Sequence, residues 1–453
     1  MLNKLLAERE AEGRPIRVGI IGTGKFGAGL VAQITQMQGM ETSVIADINP
    51  DHARHAYASS GVPGDALVAA ETTEEIEDAI RAGKPAITDD ALAMLRAGPL
   101  DVVVEATGVP KVGARHAYEA IAHGKHVVMV NVETDVTVGA ILRRQADSAG
   151  VVYTLVDGDQ PGVTMNIVDW CRTLGFEIVA AGRGTIYLDD DFDGTPDTVP
   201  ERFGFSAEML QRRTINLKMY NTFRDGTKAQ VEMAALANAA GLVPDVRGMH
   251  EPSANLEDIP RLFSLREEGG LLSRHGVVEL ANSVAEDGRT MLPNALKMGV
   301  FVVARTEHPF TQEDLASYYV HPGGDGHNFL FYRPYHLVAV SAPISIAKAA
   351  LLGMPTGSAQ PTPTAEVITV AKRDLDAGET LDGGGGYTVN GICDRADVAR
   401  RENLLPLGLA EGAVLLTEVA KGTAISYELV DGVRDTYITR LRRLQDATVW
   451  DGD

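Results

Sequence analysis

The chain is poor in several things that would have placed it elsewhere. It has two cysteines in 453 residues, Cys171 and Cys393, too few for a disulfide framework, so a reducing compartment is expected. Aromatic residues make up only 6%. No apolar run approaches the roughly 20 residues that a membrane helix needs, and the charged segment Met1–Glu12 lacks a signal-peptide core. Positive charge is scarce: 41 Lys and Arg face 62 Asp and Glu, a net charge of −21. Such a chain repels phosphate backbones, which excludes nucleic acid as a partner. The expectation is a cytoplasmic multi-domain enzyme with a small-molecule substrate and no membrane partner.

What is present is a strong alternation. The β-branched runs Arg17–Ile21, Thr42–Ala46, Asp101–Val104, Lys125–Val130 and Val151–Leu155 are separated by Ala-, Glu- and Leu-rich stretches such as Ala28–Met37, Thr73–Ala82 and Gly139–Ala149. Apolar strands without alternation, divided by helices, predict parallel strands buried on both faces. The fold class expected is α/β: a Rossmann doubly wound parallel sheet over residues 1–158. An α+β substrate and oligomerisation domain follows over 159–355, and its last helix is a candidate to pack back on the first domain. Thr356–Thr364 (TGSAQPTPT) reads as a linker, and 364–453 as a small all-β domain and tail.

In the middle segment, Val163–Thr173 reads as a helix and Glu177–Ala181 as a strand. Thr214–Phe223 and Thr227–Ala235 read as alternating strands joined by Asp225-Gly226, a hairpin signal. Strands are also expected at Val300–Arg305 and Leu337–Ser341, with Ile344–Leu352 helical. Paired across a two-fold axis, a hairpin of this kind would make a homodimer or higher homo-oligomer. Gly383–Gly386 is expected as a flexible loop tip.

The nucleotide signal is Arg17–Gly27 (RVGIIGTGKFG). The loop Gly22, Thr23, Gly24, Lys25, Phe26 and Gly27 follows a strand and opens a helix. Its glycines permit a tight turn, close approach of a pyrophosphate, and close packing of helix on strand. Asp47 ends the second strand twenty residues after Gly27, where a carboxylate favours the ribose hydroxyls of NAD and repels the extra phosphate of NADP. Ala106, Thr107 and Gly108 would let a nicotinamide ribose lie against the backbone. Asn131 and Glu133 are polar groups at another strand's carboxyl edge.

Candidates for chemistry come from four places. Asp159, before Pro161, is either a helix cap or a group facing the nicotinamide. Lys228 shares a strand face with Gln230 and Glu232 under the period of two, and could polarise a carbonyl or donate a proton. Arg183 and Arg333 could orient an anion, Arg333 through a bidentate clamp. Asp189 to Glu201 holds six carboxylates and no Lys or Arg. With Pro200 at the twelfth place it is not an EF-hand loop, and it reads as a mobile acidic loop able to share a divalent cation with substrate. No set of metal ligands is assigned.

Taken together, RVGIIGTGKFG, DVVVEATGVP, GKHVVMVNVE, DGTKAQVEMAALANAAGLVPD and FYRPYHL resemble a homoserine-dehydrogenase-like oxidoreductase family, in particular its type II 1-deoxy-D-xylulose 5-phosphate reductoisomerase branch. The tail resembles an SAF (β-clip) domain. The resemblance implies NAD(P)-dependent hydride transfer, with isomerisation in that branch. The chain departs from the branch at Arg183–Leu188, which carries one cation where the branch is rich in Lys and Asn, at Gln160 where an acid is expected, and at Asp47 where NADPH-binding relatives are basic. It departs from homoserine dehydrogenases at Glu133, which stands where they carry lysine. The expectation is therefore an NAD-dependent oxidoreductase, NADP being the weaker candidate, acting on a sugar acid or branched polyol, with isomerisation as a candidate second step. A type II reductoisomerase, a homoserine dehydrogenase and an NAD-binding sensor or scaffold stand as alternatives.

Overall fold

A computed structural model describes residues 1–212, 215–323 and 325–450. Its contacts divide the chain into two compact units. The first comprises 1–162, 337–362 and 440–453, and the second 163–336 and 363–439. The three sequence segments thus distribute over two units: most of the tail belongs with the middle segment, and its last helix with the first.

The first unit is built on seven parallel strands: β1 Ile16–Ile21, β2 Met40–Ala46, β3 Val68–Ala69, β4 Ala86–Thr88, β5 Val102–Glu105, β6 His126–Met129 and β7 Tyr153–Leu155. They lie in the order β3-β4-β2-β1-β5-β6-β7, so the order reverses at β1, where the glycine loop emerges. The apolar runs are buried on both faces, with Val18, Ile20, Ile45, Val102, Val104 and Val128 at the centre of one core. Of residues 337–341, expected as a strand, all but the N-cap Leu337 belong instead to a helix, Val338–Leu352. Its Ala342, Ile346 and Ala347 join this core. The helix Val132–Ala149 is broken at Val138 (φ −140°). Gln445, on the C-terminal helix Tyr437–Val449, repairs the break: its Oε1 accepts from Ile141 N at 3.1 Å and its Nε2 donates to Thr137 O at 3.4 Å. Groups freed inside a helix need such partners.

The second unit carries a mixed sheet of β8 Glu177–Thr185, β9 Val243–Pro244, β10 Val277–Asn282, β11 Val300–Arg305 and β12 Asn328–Arg333, ordered β12-β11-β8-β10-β9. β8 is central, parallel to β10 and antiparallel to β11. Phe301 stacks on Phe263 with centroids 5.2 Å apart, within a core that includes Ile259, Leu272 and Val303. A two-stranded antiparallel sheet, β13 Ala365–Ala371 with β14 Val389–Arg395, belongs to the same unit, accompanied by short helices at Ala396–Arg401 and Leu407–Ala410.

The expected hairpin is two helices. Leu217–Arg224 is capped by Asn216, and Thr227–Ala240 begins at Gly226 (φ +83°); Thr214 lies outside the described residues. Asp225-Gly226 makes a helix-to-helix turn, with Asp225 Oδ1 accepting from Thr227 N at 3.1 Å. The alternation misled because Thr227–Ala240 is buried all round, so its polar residues need not share one face. Thr227, Gln230 and Asn238 satisfy their polar atoms on the tail. Gly391 N donates to Thr227 Oγ1, Cys393 N to Gln230 Oε1, and Ala365 N to Asn238 Oδ1, at 2.8 to 3.1 Å. The hairpin argument for self-association loses its premise with this correction.

Candidate functional site

In the first unit the glycine loop has the geometry that its residues imply. Gly22 has φ +91°, and a Cβ there would lie 2.9 Å from Ala106 O. A Cβ on Gly27 would lie 2.2 Å from Gly22 O. Both positions therefore need glycine so that β1, β5 and the helix Lys25–Ile34 can close on one another. Gly24, the N-cap of that helix, has no side-chain cap, and a Cβ there would meet nothing within 4 Å. The free end offers amides to an anion. Lys25 is exposed and Phe26 half-buried beside it.

Asp47 grips this loop. Its Oδ2 accepts from Thr23 N at 2.8 Å and Thr23 Oγ1 at 2.7 Å, and its Oδ1 accepts from Asn49 N at 2.9 Å. The carboxylate at the end of β2 thus anchors the glycine turn through Thr23.

At the end of β5, Thr107 Oγ1 donates to Glu105 Oε1 at 2.5 Å, and Asn131 Nδ2 reaches Thr107 Oγ1 at 3.5 Å. Asn131 also caps the helix Val132–Ala149, accepting from Thr134 N at 3.2 Å. Ala106, Thr107, Gly108 and Asn131 are therefore brought together. Glu105, fully buried, organises them and was not singled out from the sequence; a lone carboxylate closing the apolar run Val102–Val104 was its signal. Glu133 follows in the first turn of the Asn131-capped helix, partly exposed. Asp159 is 8% exposed; its Oδ1 accepts from Gln160 N at 3.1 Å, at the start of the helix Gln160–Thr173.

In the second unit, Arg183 on β8 is 4% exposed. Its Nη1 donates to Glu232 Oε2, its Nε to Gly184 O at 3.1 Å, and its Nη2 faces Met298 Sδ at 3.5 Å. Glu232 lies on the buried helix Thr227–Ala240, and Lys228, one turn earlier, is the one residue of that helix that is not buried. On a helix Lys228 and Glu232 share a face, and Gln230 points elsewhere. Arg333, the last residue of β12, stacks its guanidinium over Tyr335, 4.7 Å from the ring centroid. His336 Nδ1 donates to Met298 O, 3.0 Å away. Burial first, and then the charge of Arg183, hold its imidazole below the usual range.

The acidic stretch, expected as a mobile loop, is tied to its surroundings at several points. Asp191 is fully buried and accepts from Arg202 Nε and Arg224 Nε, both at 2.9 Å. Those guanidinium groups, with the amide of Leu188, hold its carboxyl low against burial. Lys421 pairs with Asp193 at 2.7 Å, and Tyr387 OH donates to Asp197 at 2.9 Å. Arg202, Arg224 and Lys421 thus take up part of the local negative charge. Gly383–Gly386 is likewise not a free tip: Gly385 O accepts from Asn221 Nδ2 and Gly386 O from Lys372 Nζ, each at 3.0 Å. Among the described residues no group of three or more His, Cys, Asp or Glu could hold a metal ion, and no helix is long and apolar enough to cross a membrane.

Comparison with known proteins divides the chain in the same way. Residues 22–155 match the family model for the homoserine dehydrogenase NAD-binding domain, and residues 158–342 the model for the catalytic domain of oxidoreductase DRL. A homoserine dehydrogenase of Methylobacillus glycogenes is 29% identical over 167 residues, 35% of this chain; the match spans 37% of that relative's length. Among solved structures, a homoserine dehydrogenase from Thiobacillus denitrificans aligns over 91% of this chain and 97% of its own at 14% identity and a TM-score of 0.44. A putative myo-inositol dehydrogenase from Sinorhizobium meliloti aligns over 75% and 90% at 12% identity and a TM-score of 0.38. The chain carries a homoserine-dehydrogenase-like NAD-binding domain followed by a DRL-type catalytic domain. Both parts are those of NAD(P)-dependent oxidoreductases.

Proposed function

We propose that the protein is an NAD-dependent oxidoreductase of a small polyhydroxylated acid, a sugar acid or branched polyol derivative, with isomerisation coupled to hydride transfer as the further candidate step. The observation that carries the substrate class is Lys228. Its ammonium belongs to the one half-buried residue of an otherwise buried helix, one turn from the Arg183–Glu232 pair. A cation so held can polarise a carbonyl as it forms from a secondary alcohol, or orient a carboxylate. Arg333, braced on Tyr335, supplies a second cation for the acid group. Arg183 is assigned the positioning of Glu232 rather than direct contact with an anion, since its guanidinium is already engaged. Asp159 and Glu133, in the nucleotide-binding unit, are retained as candidates for proton handling at that end of the reaction.

The bound nicotinamide would accept the hydride. The chain's own part is to hold it: Gly24 and the helix end for the pyrophosphate, Asp47 for the ribose, Thr107 and Asn131 for the nicotinamide side. Asp191 and Asp193 of the acidic stretch serve the fold through Arg202, Arg224 and Lys421.

The test is a dehydrogenase screen with NAD against sugar acids, branched polyols, homoserine and deoxyxylulose phosphate, with product carbon skeletons analysed. Turnover of a polyhydroxylated acid supports the proposal. Turnover confined to homoserine or to the phosphorylated sugar replaces it, and tight NAD binding without turnover across the panel favours a sensor. Asp47→Ala removes a charged acceptor for one ribose hydroxyl, a bond contributing about 1.5–3 kcal/mol. NAD binding should weaken by about 10- to 100-fold, with preference over NADP lost; tighter NADP than NAD binding in the unaltered protein would sink the role of Asp47.

A further inference from the structure

The most strained backbone in the second unit is the segment after β9. Gly248, Met249 and Glu251 have φ of +81°, +69° and +48°. For side chains as large as Met and Glu this conformation persists only where the surroundings impose it, and such strain concentrates at functional sites. Here the surroundings are specific. Gln230 Nε2 donates to Gly248 O at 3.0 Å. The fully buried Glu279 of β10 takes His250 on both sides, accepting from its amide at 2.9 Å and meeting its Nδ1 at 2.7 Å. Asn282 N donates to Pro252 O at 2.9 Å.

The result is a hook that delivers the Glu251 carboxyl to Thr185 Oγ1, which donates to it at 2.8 Å. Thr185 ends β8 two residues after Arg183, so period two puts both on one face of the strand. A third strained residue, Lys297 (φ +56°), precedes Met298, whose sulfur touches Arg183. Backbone strain thus converges on the Arg183 neighbourhood, although Arg183, Glu232 and Thr185 account for none of it by themselves.

We propose that Glu251 is the group that takes the hydroxyl proton of the substrate in this unit. The inference rests on the oxidoreductase reading above. In the oxidation, the carbinol C–H bond would break and its hydride would pass, as a new C–H bond, to the nicotinamide of bound NAD⁺. The O–H bond breaks, its proton forms the O–H bond of a Glu251 carboxylic acid, and the carbonyl is left. Solvent regenerates the carboxylate. Lys228 polarises the oxygen, and Glu251 removes the proton.

The electrostatic setting supports the geometry. Burial pushes the Glu251 carboxyl up to about 7, opposed by the Thr185 hydroxyl and the Arg183 guanidinium and reinforced by Glu279. The other groups around it are Tyr187, driven well up by burial and next by the charge of Glu251, and His250, raised mainly by Glu279. Glu232 is engaged with Arg183. A base poised near neutrality suits proton transfer at physiological pH.

The experiment is the pH profile of kcat/KM for oxidation in the unaltered protein, Glu251→Gln and Thr185→Val, each checked by thermal melting and NAD binding. The unaltered protein should lose activity below about pH 7, because a protonated Glu251 accepts nothing. E251Q should lose that acidic limb and about 10²- to 10⁴-fold in rate while still binding NAD. T185V removes a bond that holds the carboxyl low, so its limb should move to higher pH. An unchanged limb in both variants overturns the proposal. If E251Q does not fold, T185V decides alone: a limb that fails to move overturns it. An infrared band of a protonated carboxyl, titrating near neutrality and shifted upward in T185V, gives a readout independent of turnover. Absence of turnover in the unaltered protein with any polyhydroxylated acid defeats the functional reading, whereas an active enzyme with unmoved limbs defeats Glu251 alone.

Discussion

Replacing Arg183 by methionine should lower stability by about 3–5 kcal/mol, the usual cost of removing one partner from a buried ion pair. Arg183 and Glu232 are 4% and 1% exposed, so the carboxylate left behind keeps its desolvation cost without the guanidinium that offset it. In a unit of this size that corresponds to a fall in melting temperature on the order of 10 °C. The double variant Arg183→Met/Glu232→Met should recover much of the loss, because a well-packed apolar pair replaces a buried ionic one at little cost. The two readings of Arg183 separate here. If it clamps a substrate anion, R183M raises KM and leaves the melting temperature near its original value. If it positions Glu232, stability falls first, and the double variant regains stability without regaining activity. A melting temperature unchanged in R183M would refute the positioning role.

The second large effect is expected at Lys372→Met. The Lys372 ammonium is buried at the junction of the tail with the catalytic helices, donating to Asp225 Oδ2 at 2.7 Å, Gly194 O at 2.8 Å and Gly386 O at 3.0 Å. Removing it strips a fully buried carboxylate of its counter-charge, again costing about 3–5 kcal/mol. The pH dependence has a definite sign. Burial already raises the Asp225 carboxyl above its ordinary range, against the opposing charge of Lys372, and loss of the lysine raises it further. A carboxyl raised in the folded state contributes stability at low pH that is lost as pH rises through its folded value. K372M should therefore be closest to the unaltered protein in acid and furthest below it at alkaline pH. Urea unfolding at several pH values tests this, and a deficit that grows toward acid would contradict it. Asp225→Asn in the K372M background should abolish the pH dependence of the deficit.

These two sites show what kind of information the sequence held. The nucleotide unit was legible because its signals are local. Apolar runs such as Val102–Val104 can only be buried on both faces, and Gly22 and Gly27 stand where the backbone closes to distances that no side chain allows. Asp47 was singled out by its spacing from Gly27, although its grip on Thr23 did not follow from that spacing. The catalytic unit was legible only in part. Lys228, Gln230 and Glu232 alternate with Ala229, Val231 and Met233, a pattern that fits a strand as well as a helix buried on every side. The choice was made by residues far away in the chain, since Gly391, Cys393 and Ala365 supply the partners that let Thr227, Gln230 and Asn238 go inside.

Charge followed the same division. The sequence determined that the chain is acidic, that residues 189–201 concentrate carboxylates, and that a dinucleotide fold precedes a second α+β unit. Tertiary structure decided where that charge goes: Asp191 is neutralised by Arg202 and Arg224, Asp225 by Lys372, and Glu232 by Arg183. It also decided that a strained turn brings Glu251 to Thr185. The physical reason is one of range. Strand period, glycine geometry and net charge are properties of neighbours in sequence. The protonation and partners of a buried carboxylate depend on what low-dielectric packing sets beside it, here residues 11 to 147 positions away.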